Sequence, residues 1–248
     1  MAKVQENRNI AIVLAGGSGS RMNSDVPKQY MKVCDKPILY YALKTFDESF
    51  IDEIILVVNE KDLQYCKTNI VDKYRFKKIS KIVVGGKERY NSVYNGLQAI
   101  ATDKNNQIIM KDINIFIHDG ARPCVTTDIL ERCLETVKRT CACVAAVPVK
   151  DTIKIVDESG YAISTPDRNT LWQIQTPQVF SFEVIKNAYD NLMHLVTIEG
   201  ITDDAMVVEH YSNVKVKMVE GSYDNIKVTT QGDIEIVKLY FKKKMIRN

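Results

Sequence analysis

The chain alternates between short apolar runs and longer stretches whose apolar positions recur at helical spacing. Residues 10–14 (Ile-Ala-Ile-Val-Leu), 53–58 (Glu-Ile-Ile-Leu-Val-Val), 81–84, 113–117 and 143–147 are nearly unbroken runs rich in β-branched residues. Runs too short for helices and without polar alternation are the mark of strands buried on both faces. The stretches between them predict helices over 37–46, 61–74, 89–101 and 127–140, with Pro37 suited to a first turn and Thr126 and Thr127 to a cap. Strands joined by helices in this order predict an α/β fold: a single Rossmann-like domain with a mostly parallel sheet covered on both faces.

The rhythm breaks after Pro148. Residues 152–156, a turn at 157–160 and residues 161–165 read as a polar hairpin. A lone hairpin is marginal in water, so this segment, about 149–172, is predicted to be an inserted arm held by a second copy of the chain. Helices at about 182–195 and 203–211, a strand at 214–219 and a helix at about 233–244 complete a reading of 1–248 as one domain.

Composition narrows the class. Hydrophobic residues make up 45% and charged residues 26% of the 248 positions, an ordinary soluble globular balance. With 34 basic and 31 acidic residues the net charge is +3, too balanced for binding nucleic acid by bulk charge. A small anion needs only a few placed cations. Cys34, Cys66, Cys124, Cys133, Cys141 and Cys143 form no C-x-x-C pair, and with His118, His194 and His210 they give no zinc spacing. They read as thiols of a reducing, cytoplasmic compartment. The run at 10–14 is too short for a signal peptide or a membrane span.

Chemistry concentrates after the first run, in Leu14-Ala-Gly-Gly-Ser-Gly-Ser-Arg-Met22. Glycines just past a strand, here Gly16, Gly17 and Gly19, bring backbone N–H groups close to phosphate oxygens. Ligands of parallel sheets bind at the carboxyl ends of strands. The loop is neither a Walker loop nor a Rossmann fingerprint. Arg21 and Lys28 add a fork and a point charge able to clamp a polyphosphate. Further polar motifs follow in order: Gly85-Gly-Lys-Glu-Arg-Tyr-Asn-Ser-Val93, His118-Asp-Gly-Ala-Arg-Pro123, Pro148-Val-Lys-Asp-Thr152, Arg168-Asn-Thr-Leu-Trp172, Gln175-Thr-Pro-Gln178, Thr202-Asp-Asp-Ala205 and Asn225-Ile-Lys-Val-Thr229. His118 stands beside Asp119, but strand alternation points it the other way, so it reads as a packed histidine.

Over about residues 10–240 these motifs resemble the 2-C-methyl-D-erythritol 4-phosphate cytidylyltransferases, within the wider sugar- and polyol-phosphate nucleotidylyltransferases. The resemblance implies a fold of the nucleotide-diphospho-sugar transferase type. It also implies transfer of a cytidylyl group from CTP to a polyol phosphate in non-mevalonate isoprenoid synthesis. Arg21 and Lys28 are then the catalytic cations. Ala15, Gly16, Gly17, Gly19, Gly86, Ser92, Asp119 and Lys227 bind CTP. Arg122, Thr152, Arg168, Thr176, Thr202 and again Lys227 bind the acceptor. Magnesium is implied as cofactor, held mainly by CTP phosphates and not by a protein cage. Asp119 meets the ribose, the polyol or that magnesium, alternatives the residues leave open. The family further implies a homodimer of exchanged arms, with no nucleic-acid or membrane partner. Ala15-Gly16-Gly17 also fits the related ribitol-5-phosphate cytidylyltransferases. A silent nucleotide-binding protein is the alternative of another class, against which the retention of Arg21, Lys28, Arg168 and Lys227 speaks.

Overall fold

Eleven strands are present in the computed structural model, which describes residues 7–17, 26–100 and 113–247. In chain order they are β1 (Arg8–Ala15), β2 (Lys32–Val33), β3 (Lys36–Pro37), β4 (Glu53–Val58), β5 (Ile79–Val84), β6 (Ile113–Asp119), β7 (Ala142–Pro148), β8 (Ile155–Val156), β9 (Ala162–Ser164), β10 (Trp172–Ser181) and β11 (Lys217–Glu220). Seven of them form the central sheet in the order β11-β7-β10-β6-β1-β4-β5. β1 pairs in parallel with both β4 and β6. β10 runs antiparallel between β6 and β7. The helices are α1 (Ile38–Asp47), α2 (Leu63–Cys66), α3 (Arg89–Gln98), α4 (Thr127–Thr140), α5 (Phe182–Met193), α6 (Asp204–Tyr211) and α7 (Gln231–Arg247).

Strand alternation sorts the core into two layers. On one face Ala11, Val13, Leu56 and Phe116 pack against Leu39, Leu43 and Phe46 of α1 and Ile129, Leu130 and Val137 of α4. On the other, Ile10, Ile12, Val57 and Ile115 pack against Val93 and Leu97 of α3 and Ile185, Tyr189 and Leu192 of α5. The apolar runs of β1, β4, β6 and β7 are therefore buried on both faces, as their pattern predicts, whereas the run 81–84 lies in edge strand β5 and is only partly covered. α7 closes a third cluster, Val228, Ile234 and Val237, over the start of α1.

Three differences from the sequence reading have local causes. β10 was not expected, because Pro177 interrupts it and a proline argues against a central strand. The chain accommodates the proline where the register shifts between Ile174 and Gln178. The helix expected over 61–74 is mixed: a 3₁₀ turn (Glu60–Asp62), α2, and a π-helical stretch (Lys67–Asp72). The expected polar hairpin is shorter and less polar than read. β8 and β9 pair around a turn in which Asp157 Oδ1 accepts from Ser159 N and Tyr161 N. Its apolar side chains, among them Ile155, Tyr161 and Ile163, face outward.

Strand order reverses direction at β1, since β4 lies to one side and β6 to the other. That is a topological switch point, and the crevice at the carboxyl ends of β1 and β6 is where such sheets take ligands.

Candidate active site

The crevice is a cleft of about 360 Å³ lined by Ala15, Gly16, Gly17, Lys28, Asn59, Gly86, Lys87, Arg89, Ser92, Asp119 and Lys227, among others. Ala15, Gly16 and Gly17 form one wall, and a β-carbon added at Gly17 would stand 3.9 Å from Lys28 Cε. The short helical turn Lys28–Tyr30 is tied to the end of β1 by buried Gln29, whose Nε2 donates to Ala15 O at 2.8 Å. The turn between β5 and α3 forms the opposite wall. A β-carbon at Gly86 would meet Asn91 Cβ at 2.2 Å, so this position requires glycine. Ser92 braces the same turn: its Oγ accepts from Gly86 N at 3.1 Å and donates to Glu88 O at 3.3 Å. Arg21 and Gly19 lie outside the described residues.

Asp119 closes β6 at the floor of the cleft and is 7% exposed. Three cations surround it. Lys227 Nζ is 2.8 Å from Oδ2, Arg122 Nε is 3.8 Å from Oδ2, and Arg89 Nε is 3.7 Å from Oδ1. Burial alone would raise its pKa. The charges of Arg89, Lys227 and Arg122 outweigh that and hold the carboxyl well below the usual carboxylate range. Arg89 is itself fixed from behind, its Nη1 and Nη2 each donating at 2.7 Å to Asp204 on α6. Asp204 is fully buried and also accepts from Tyr189 Oη at 2.6 Å. Burial works against the Arg89 charge, but Asp204 and Asp119 reverse that and keep the guanidinium firmly protonated.

Under Asp119 lies a second, buried network. Thr176 Oγ1 accepts from Asp119 N at 3.1 Å and lies 3.0 Å from His118 Nδ1. His118 Nε2 lies 3.2 Å from the Arg122 carbonyl, which can only accept. Nε2 therefore carries the proton, and the Thr176 hydroxyl donates to Nδ1. Burial pulls the His118 pKa down to about 4, so the ring is neutral at pH 7. His118 is the packed histidine that strand alternation predicts. Thr176, expected on the acceptor, is 3% exposed, and its hydroxyl serves Asp119 and His118. Arg122 Nη1 donates to Asn225 O at 2.8 Å, and Val228 N donates to Ala121 O at 2.8 Å. The Asn225–Val228 segment is thereby fastened to the end of β6, which is how Lys227 reaches Asp119.

The remaining acceptor candidates do not line this cleft. Thr152 is exposed on the arm, and exposed Arg168 donates from Nη1 to Lys150 O at 2.9 Å at its base. Thr202 is exposed before α6, its hydroxyl 3.6 Å from Met206 Sδ. The structure thus brings together the nucleotide-side candidates within the described residues, together with Arg122, and leaves the arm residues apart. Sequence reasoning did not single out Gln29, Asn59, Arg89 or Asp204. Two of these, Arg89 and Asp204, sit inside quoted motifs, but they are 115 positions apart in sequence.

A doubly wound sheet whose switch-point crevice is walled by glycine turns and floored by a carboxylate among cations defines a nucleotide-binding α/β protein equipped for phosphate chemistry. The chain belongs to the 2-C-methyl-D-erythritol 4-phosphate cytidylyltransferase family, whose model matches residues 9–243. A protein of that name from Lachnospira eligens is 54% identical, covering 94% of this chain and 99% of its own. Another from Lachnoclostridium phytofermentans is 44% identical, covering 90% of this chain and 92% of its own. Among solved structures, 4-diphosphocytidyl-2C-methyl-D-erythritol synthase from Anaerococcus prevotii superposes with a TM-score of 0.79 at 32% identity, covering 95% of this chain and 99% of that one.

Proposed function

We propose that the chain transfers the cytidylyl group of CTP to 2-C-methyl-D-erythritol 4-phosphate in isoprenoid precursor synthesis. The products are 4-diphosphocytidyl-2-C-methyl-D-erythritol and pyrophosphate. The observation that carries this is the Asp119 cluster, with Lys227 at 2.8 Å, set between two glycine turns in a chain of this family.

An acceptor phosphate oxygen attacks the α-phosphorus of CTP, and the bond to the β-phosphate oxygen breaks. The nucleophile is already an anion, so no general base is needed. His118 suits this, since it is buried and neutral beneath the floor. The difficulty is bringing two anions together and stabilising the charge that develops, which cations and oriented N–H groups accomplish. The glycine loop and Lys28 hold the triphosphate, with Arg21 completing that clamp. Gly86 and the Ser92-braced turn receive the cytosine. Lys227, 39% exposed at its side chain, bridges the α-phosphate and the incoming phosphate.

Among the described residues no group of three or more His, Cys, Asp or Glu side chains could hold a metal. Asp119, held ionised, fits a magnesium ion as one carboxylate contact while the triphosphate supplies most of the ligands. Such an ion would neutralise phosphate charge and favour departure of pyrophosphate. Among the described residues no helix is long and apolar enough to cross a membrane. The working form is a cytoplasmic homodimer in which each arm carries Thr152 and Arg168 to the partner's acceptor site. The exposed apolar face of the arm supports this reading.

Pyrophosphate release with CTP and magnesium tests the assignment. Turnover is expected with 2-C-methyl-D-erythritol 4-phosphate and far less with ribitol 5-phosphate. Turnover with ribitol 5-phosphate alone would overturn the acceptor, and no release with either would overturn the transferase.

A further inference from the structure

Arg89 opens α3 directly behind the Gly86 turn, and its guanidinium lies between two carboxylates. Its Nη1 and Nη2 both donate to Asp204, and Nε faces Asp119, at 3.7 Å from Oδ1. Asp204 cannot turn away, because it is fully buried and Tyr189 holds it from the other side. A planar fork engaged bidentately has its remaining N–H direction fixed. Arg89 is therefore a rigid cation presented to one oxygen of Asp119 while Lys227 occupies the other. The two differ in freedom. Lys227 is a flexible point charge at the cleft surface, its side chain 39% exposed against 28% for Arg89.

We propose that Arg89 is a positioning residue for Lys227. Anchored on Asp204, it fixes the Asp119 carboxylate and shares its charge. Lys227 can then exchange Asp119 for a phosphate oxygen while Arg89 on Oδ1 and Arg122 beside Oδ2 still pair the buried carboxylate, whose isolation is strongly unfavourable. This rests on reading the cleft as the nucleotide and acceptor site. Without Arg89, Asp119 holds Lys227 more tightly and is itself less fixed. Binding of the base, which depends on the Gly86 turn, is untouched.

Arg89→Lys tests this. One ammonium serves one carboxylate, and buried Asp204 retains it, so the fold is kept while Asp119 loses its cation on Oδ1. With wild-type turnover established first, kcat is expected to fall on the order of 10²-fold, with KM for CTP unchanged. In an Asp119→Asn background the same substitution is expected to have little further effect, because the two residues act through one contact. Equal losses in both backgrounds, or a raised KM for CTP with kcat retained, would overturn the proposal and leave Arg89 as an anchor for the turn. If Arg89→Lys does not fold, Arg89→Met/Asp204→Asn removes both buried charges, and the same split between kcat and KM decides. Absence of wild-type turnover would count against the proposed function instead.

Discussion

His118 and Asp119 are neighbours on one strand with opposite fates. Asp119 meets the cleft, and His118 turns into the core against Phe46, with ring centroids 5.1 Å apart. A histidine kept neutral by burial makes stability sensitive to acid. The unfolded chain takes up the proton near the ordinary value of 6.5, the folded one only near 4. Stability from this residue is therefore full above about pH 6.5, erodes as pH falls and is gone by about pH 4, a change of about 3 kcal/mol. Asp119 shifts in the same direction but titrates lower still, so it stays ionised at pH 4.5. Thermal melts at pH 7 and 4.5 should show a smaller acid loss for His118→Gln, which can still accept and donate, than for wild type. Equal losses would mean that His118 is not the acid-sensitive group. At this scale the sequence revealed Asp119, Lys227 and Gly86 through their motifs. It could not reveal Arg89 as a bridge, because the partner that fixes it, Asp204, lies 115 positions away.

Elements were legible where one physical rule dominates. α4 spans Thr127–Thr140 as read, because its apolar stripe of Ile129, Leu130, Cys133 and Val137 faces the sheet at helical spacing. β10 was illegible because two rules conflict: its glutamines alternate with apolar residues, yet Pro177 breaks the pattern. The structure resolves the conflict by giving the buried Gln175 and Gln178 partners in Ser222 and the start of α6. The β2–β3 turn was missed because it places Cys34 and Asp35, not glycines, at φ 45° and 64°. The turn from β5 to α3 carries a prediction of its own. Gly86→Ala must displace Asn91, and with it the wall of the cleft. Titration calorimetry should find CTP binding weakened about tenfold, ~1.4 kcal/mol, while the core-dependent melting temperature changes little. Unaltered CTP affinity would remove Gly86 from the nucleotide site.

For the whole molecule the arm is decisive. Its apolar side chains, with Tyr161 at 74% and Ile163 at 65% exposure, are set apart from the three core clusters. Exposed apolar surface on a projecting hairpin suits a protein partner. For the proposed dimer, Ile155→Asp/Ile163→Asp is expected to give a monomer in sedimentation where the unaltered chain gives a dimer, and to abolish acceptor turnover while CTP still binds. A dimer that persists would locate the interface elsewhere. Composition could not anticipate this arrangement. It counted 34 basic residues, whereas Asp119 gathers Arg89, Arg122 and Lys227 from three separate segments.

The β11 end of the central sheet completes this picture. β11 is four residues long with Lys217 and Glu220 at its limits, and Arg132 of α4 donates to Glu220 O from Nε at 3.0 Å and from Nη2 at 2.8 Å. A strand that is short, charged and already engaged by side chains is a poor template for a foreign strand. The β11 margin therefore resists growth by edge-to-edge stacking, since its last carbonyl is already taken by Arg132.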